Sequence, residues 1–149
     1  MGGITVRECY RYLRDSECRL SPEEFFRFNM SLLSESARAF MYAAFLGQGG
    51  DCRALAFIGI AKERGTAEDC VYARHLESAL TYVMLKNPEE AISIGKEVVD
   101  LARDLADEEL EGDALMGIST IYEDMGDATA AKTYEREAAR VRERNREEA

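Results

Sequence analysis

The sequence has one histidine, two prolines, no tryptophan and no Cys-x-x-Cys pair, and its longest apolar run, 39–46, is only 8 residues. Each shortage removes a class of answers. A single histidine, His75, leaves no His-Glu-x-x-His zinc site and no other multi-histidine metal centre. Tyr72 stands three residues before it, so the Glu-x-x-His of a diiron carboxylate bundle is missing too. Two prolines exclude a collagenous or proline-rich module, and an 8-residue apolar run falls far short of the roughly 20 residues that span a bilayer. Met1 to Val6 lacks the basic stretch and apolar core of a secretory signal, and Val6 stands where a myristoylation signal carries Ser or Thr. A cytoplasmic protein is expected, with Cys9, Cys18, Cys52 and Cys70 reduced and mostly packed as small hydrophobes.

What is present describes one globular domain: 149 residues, 46% hydrophobic, with Lys+Arg 19 against Asp+Glu 29 and a net charge of −10. Such a field repels phosphate backbones and anionic membranes, so neither nucleic acid nor membrane is an expected partner. Five C-terminal arginines, Arg136, Arg140, Arg142, Arg144 and Arg146, are matched by Glu135, Glu137, Glu143, Glu147 and Glu148. Interleaved charges of this kind read as a solvated cap. The acidic run Asp100, Asp104, Asp107, Glu108, Glu109, Glu111 and Asp113 is likewise expected to be a solvated face and turn. Gly47-Gln48-Gly49-Gly50 follows a helix and ends in Gly-Asp instead of Gly-Lys-Ser/Thr, so it reads as a hairpin turn and not as a phosphate loop.

Apolar residues recur every three or four positions, which predicts an all-α fold. The stripes are Tyr72, Leu76, Ala79, Leu80, Val83; Ala91, Ile94, Val98, Ala102, Leu105; Leu115, Ile118, Tyr122, Met125; and Ala131, Tyr134, Ala138, Val141. Breaks lie at Gly50-Asp51, Gly65-Thr66, Asn87-Pro88, Asp107 and Gly126-Asp127, where glycine can turn left-handed and Thr, Asn or Asp can cap the next helix. The last four are spaced by about 20 residues, which predicts antiparallel hairpins repeating every ~40. Ser21-Pro22-Glu23-Glu24 opens a further helix through Phe25, Phe26, Phe28, Met30, Leu32 and Leu33. Ser34 or Ser36 opens the next one, with Ala37, Phe40, Met41, Ala44 and Phe45 on its core face.

The stretch 114–127 with Ala131 and Ala138 resembles a tetratricopeptide repeat, through Leu115, Ile118, Ser119, Tyr122, Gly126, Asp127, Ala131 and Ala138. A weaker copy carries His75, Ser78, Ala79, Tyr82, Asn87, Ala91 and Val98, with Lys86 where the pattern has glycine. The resemblance implies a short α-solenoid over 34–149, with 34–66 degenerate and 67–106 and 107–147 clearer, preceded by a helical extension over 1–33 that packs on the repeats. It further implies a groove lined by Phe40, Met41, Leu76, Glu77, Leu80, Val83, Met84, Asp113, Met116, Gly117, Thr120, Glu123 and Asp124. The Lys, Arg and Asn that clamp acidic tails in some members of that family are absent from these positions.

A noncatalytic scaffold or adaptor without cofactor or metal is therefore expected, binding an amphipathic or basic peptide and open to homodimerisation. The aromatic segment 22–33 or a second copy is the alternative cover for the groove. Two other classes stay open: a cysteine-dependent enzyme pairing Cys52 or Cys70 with His75, and a sensor holding a small apolar molecule among Phe40, Phe45 and Leu76.

Overall fold

The computed structural model describes residues 3–15 and 30–148. These form seven α-helices and one 3-10 turn: α1 Val6–Asp15, the turn Met30–Leu32, α2 Glu35–Gln48, α3 Arg53–Arg64, α4 Ala67–Val83, α5 Pro88–Asp104, α6 Glu108–Asp124 and α7 Ala128–Glu148. The only β-pairing among the described residues is an isolated parallel bridge between Ile4 and Leu33. The class is all-α, as the periodicity predicts. Two compact units divide the chain, Met1–Glu77 and Ser78–Ala149, with the boundary inside α4.

In the first unit, α1 is opened by a reciprocal box: the Glu8 N–H donates to Thr5 Oγ1 at 3.3 Å and the Thr5 N–H to Glu8 Oε1 at 3.4 Å. Thr66 and Asp69 repeat the device at the start of α4, at 3.1 and 2.9 Å. Helices α2 and α3 pack as a hairpin and α1 lies against α2. Ala37, Ala43, Ala54 and Ala61 are fully buried, which lets the backbones approach, and the Ser36 hydroxyl donates across to the Ala61 carbonyl at 2.7 Å. Gly50, at φ 72°, makes the turn, and the Asp51 N–H closes it onto the Leu46 carbonyl at 3.0 Å.

Two sequence expectations fail in this unit. A helix does not run through Leu33: Met30–Leu32 is a 3-10 turn, and the Ile4 N–H donates to the Leu32 carbonyl at 2.8 Å. Ser34, extended at φ −62°, ψ 161°, caps α2 by accepting from the Ala37 N–H, and a helix cannot continue through that backbone. Pro22, Phe25, Phe26 and Phe28 lie outside the described residues. Gly65 is extended at φ −103°, ψ 175°, and not left-handed. Glycine is needed there for space, because a Cβ would come within 2.5 Å of Ser36 Oγ and 2.6 Å of Asp69 Cβ.

In the second unit α5 packs on α6 and α6 on α7. Three helix junctions follow one plan at 20-residue steps. Lys86, Ala106 and Gly126 are left-handed, at φ 51°, 55° and 86°. Each is followed by an Asx cap: Asn87, Asp107 and Asp127 accept from the N–H groups of Glu90, Leu110 and Ala130 at 3.2, 3.0 and 3.0 Å. The N–H of Asp107 returns to the Ala102 carbonyl and that of Asp127 to the Tyr122 carbonyl, both at 2.9 Å, closing the preceding helix ends. Pro88 sits in the first turn of α5, where its missing N–H costs nothing.

A serine hydroxyl bridges neighbouring helices twice in the same way: Ser78 donates to the Ala91 carbonyl and Ser119 to the Ala131 carbonyl, each at 2.7 Å. Around these bonds Leu80, Ile94, Val98, Leu110, Leu115, Ile118, Ala131, Ala138 and Val141 form the core. Each large aliphatic among them contributes roughly 1.5–3 kcal/mol by leaving water. Met125, which falls on the apolar stripe of α6 by sequence, is exposed because it is the residue just before the left-handed turn, already off the packed face.

Candidate functional site

The expected groove residues fall into three environments. Phe40 and Met41 lie on the buried face of α2, 2% and 0% exposed. They are core residues of the first unit and present no side chain to a ligand. Leu76 and Glu77 are half-buried, and the Glu77 carboxylate is already engaged, accepting from Lys62 Nζ at 3.1 Å and Arg74 Nη1 at 2.5 Å.

In the second unit the end of α4 and the length of α6 carry the remaining positions. The Tyr82 hydroxyl donates to an Asp124 carboxylate oxygen, joining α4 to α6, and this bond raises the phenol's pKa. Beside it Val83 is 64% exposed, Met84 half-buried, and Glu123 and Asp124 exposed. Leu80 points into the core, and Met116 is half-buried. The Thr120 hydroxyl is turned back to the Met116 carbonyl at 3.0 Å. Gly117 is exposed, and a Cβ there would meet nothing within 4 Å. Sequence reasoning missed Leu85, which is exposed; like Met125, 40 residues later, it directly precedes a left-handed residue. That register was readable from the repeat, although Lys86 in the glycine position obscured it.

Asp113, the acid at the other end of α6, faces Arg142 Nη2 at 3.6 Å. The acidic run is only partly the solvated face expected of it, whereas Arg136, Arg140, Arg142, Arg144 and Arg146 are all exposed, as a solvated cap requires. Glu111 is 3% exposed and receives Arg103 Nε at 2.8 Å and Arg144 Nη2 at 3.4 Å. Arg144 also reaches Glu108 at 3.2 Å, and Arg103 reaches Glu137 at 2.6 Å. Arginines from α5 and α7 thus neutralise the acids of α6. The Arg103 guanidinium is held still more firmly protonated, first by its bond to Glu111. Next to this network a cavity of about 250 Å³ lies over Val99, Leu115 and Ile118, with Lys96 at 6.0 Å from the Tyr134 ring centroid.

Of the candidate nucleophilic pair, Cys70 and His75 have other engagements. The Cys70 thiol donates to the Lys62 carbonyl at 2.9 Å, and the His75 ring meets Tyr10 edge-on at 5.6 Å. Cys9 is buried, and burial, followed by the charges of Glu8 and Asp69, pushes its thiol up to about 12. A thiol so placed is a packing residue and not a nucleophile. Cys52 is exposed in the turn before α3, next to Asp51, whose carboxyl the Arg53 side chain holds down at about 2. Cys18 lies outside the described residues. Among the described residues no group of three or more His, Cys, Asp or Glu side chains could hold a metal ion, and no helix is long and apolar enough to cross a membrane.

No protein-family model, curated protein or solved structure matches the chain.

Proposed function

We propose that the chain is a noncatalytic interaction module built from tetratricopeptide-like helical hairpins, and that it binds an amphipathic, basic peptide on the surface shared by the end of α4 and α6. The observation that carries this reading is the Tyr82–Asp124 bond. It joins the end of α4 to the acidic end of α6, and Val83, Leu85, Glu123, Asp124 and Met125 are exposed on these two segments. Exposed apolar and acidic groups on joined segments suit a helix with one apolar and one basic face. The 20-residue step of left-handed turn and Asx cap supports the repeat architecture. The peptide is the primary partner of this surface, and self-association is a secondary use of the same exposed residues.

A fluorescein-labelled amphipathic helix of leucine and lysine tests this by anisotropy. Val83→Asp adds negative charge, so nonspecific attraction would tighten binding, whereas loss of the apolar contact weakens it. Weakened binding by Val83→Asp, together with weakened binding by Glu123→Lys, is the expected result. Tighter binding by Val83→Asp, or no saturable binding, would refute the reading.

A further inference from the structure

The last residue of α7 that is buried is Val141, and residues 142–148 are all exposed, yet this exposed end is not idle. Arg142 lies on Asp113 at 3.6 Å, and Arg144 on Glu108 and Glu111 at 3.2 and 3.4 Å. Gly112 lies between these acids on α6, and a Cβ at that position would stand 3.4 Å from Arg142 Cγ and 4.0 Å from Val141 Cγ1. The face is therefore a glycine-floored track walled by carboxylates, filled by Val141-Arg142 and Arg144.

We propose that the C-terminal end of α7 is a cis-acting occupant of this acidic track on α6, displaced by a partner helix that presents an apolar residue followed by arginines one and three positions on. The proposal rests on the reading that α6 receives a basic guest and adds what regulates it. Two features make the occupant exchangeable. Arg142 and Arg144 are about half exposed, at 47% and 52%, and ion pairs so wet hold weakly. Glu111, the most buried of these carboxylates, keeps its bond to Arg103 at 2.8 Å when Arg144 leaves. Charge complementarity selects the partner's arginines, and Gly112 selects a close-lying aliphatic stem.

The test uses the full chain and a labelled peptide of its own residues 136–149 as probe. In Arg142→Glu/Arg144→Glu the tail is repelled from the acids, and the probe should bind about tenfold tighter than to the native chain, the gain expected if the closed form holds about nine-tenths of the molecules. In the native chain, hydrogen exchange of amides 141–148 should accelerate when unlabelled peptide is added, a readout that does not depend on the variant folding. Equal binding to both chains with unchanged exchange overturns the cis-occupant proposal and leaves the basic-guest reading standing. No binding to either chain overturns both. A native dimer that the double variant loses would make the occupant a second copy and overturn the partner form.

Discussion

The Ser119 hydroxyl donates to the Ala131 carbonyl at 2.7 Å across the α6–α7 junction, and both groups are buried. Ser78 and Ala91 form the same bond one repeat earlier. Ser119→Ala removes one of two acceptor interactions at a helical carbonyl and leaves a small void. A loss of about 1 kcal/mol is expected. Ser78→Ala should lose the same within error, measured by guanidinium denaturation. A cost at one site only would mean that the two bonds are not structurally equivalent.

Glycines inside helices divide by what surrounds them. A Cβ on Gly95 would stand 2.9 Å from Ile118 Cγ1 and 3.3 Å from its Cδ1, in the core of the second unit. A Cβ on Gly117 or Gly59 would meet nothing within 4 Å. Gly117→Ala and Gly59→Ala should therefore stabilise by up to about 1 kcal/mol through helix propensity alone. In Gly95→Ala the overpacking cost of about 1–3 kcal/mol exceeds that gain, so the variant is destabilised. In an Ile118→Ala background the same change should become stabilising, and a double-mutant cycle reads the sign reversal.

The left-handed residues make a third test. Ala106 at φ 55° and Lys86 at φ 51° carry a Cβ where Gly126, at φ 86°, does not. An L-residue in that region is strained by roughly 1–2 kcal/mol. Ala106→Gly and Lys86→Gly should each raise the melting temperature, and Gly126→Ala should lower it. A drop in all three would mean that the side chains of Ala106 and Lys86 make contacts that outweigh the strain.

These junctions also mark how far the sequence could be read. Asn87, Asp107 and Asp127 were legible because capping is local: the residue type, its spacing and the neighbouring Pro88 or Gly126 suffice. Ala106 carries no such signal, since alanine at a left-handed position is tolerated only because the Asp107 N–H and its carboxylate close both helix ends around it. Gly65 was misread because its reason lies 29 residues away, at Ser36 Oγ. Glu111 was illegible for the same cause: it is buried and meets Arg144 across 33 residues, and a charge count cannot distinguish a solvated acid from a buried one. Phe40 and Met41 were rightly assigned to the core face of α2, and that burial removes them from any surface. On α6, the acid at 113 was legible as a charge but not as one already satisfied by Arg142.

Cys9 makes one pH-dependent contribution to the stability of the first unit on the alkaline side. Its thiol ionises at about 12 in the folded chain and near 9.0 when unburied, so above pH 9 the unfolded state releases a proton that the folded state keeps. Folded protein then binds more protons than unfolded, which makes the slope of stability against pH negative. The contribution is fully present below 9.0 and is lost progressively up to about 12. Cys9→Ala costs stability at neutral pH by leaving a cavity, but it should flatten this descent. The comparison is the difference between native and variant midpoints at about pH 8 and about pH 10.5, which cancels tyrosine and lysine titration common to both chains. A narrowing gap at the higher pH is the expected outcome. A constant gap would mean that the Cys9 thiol is solvated enough to ionise in the folded state, and rapid alkylation of the native chain at that position would accompany it.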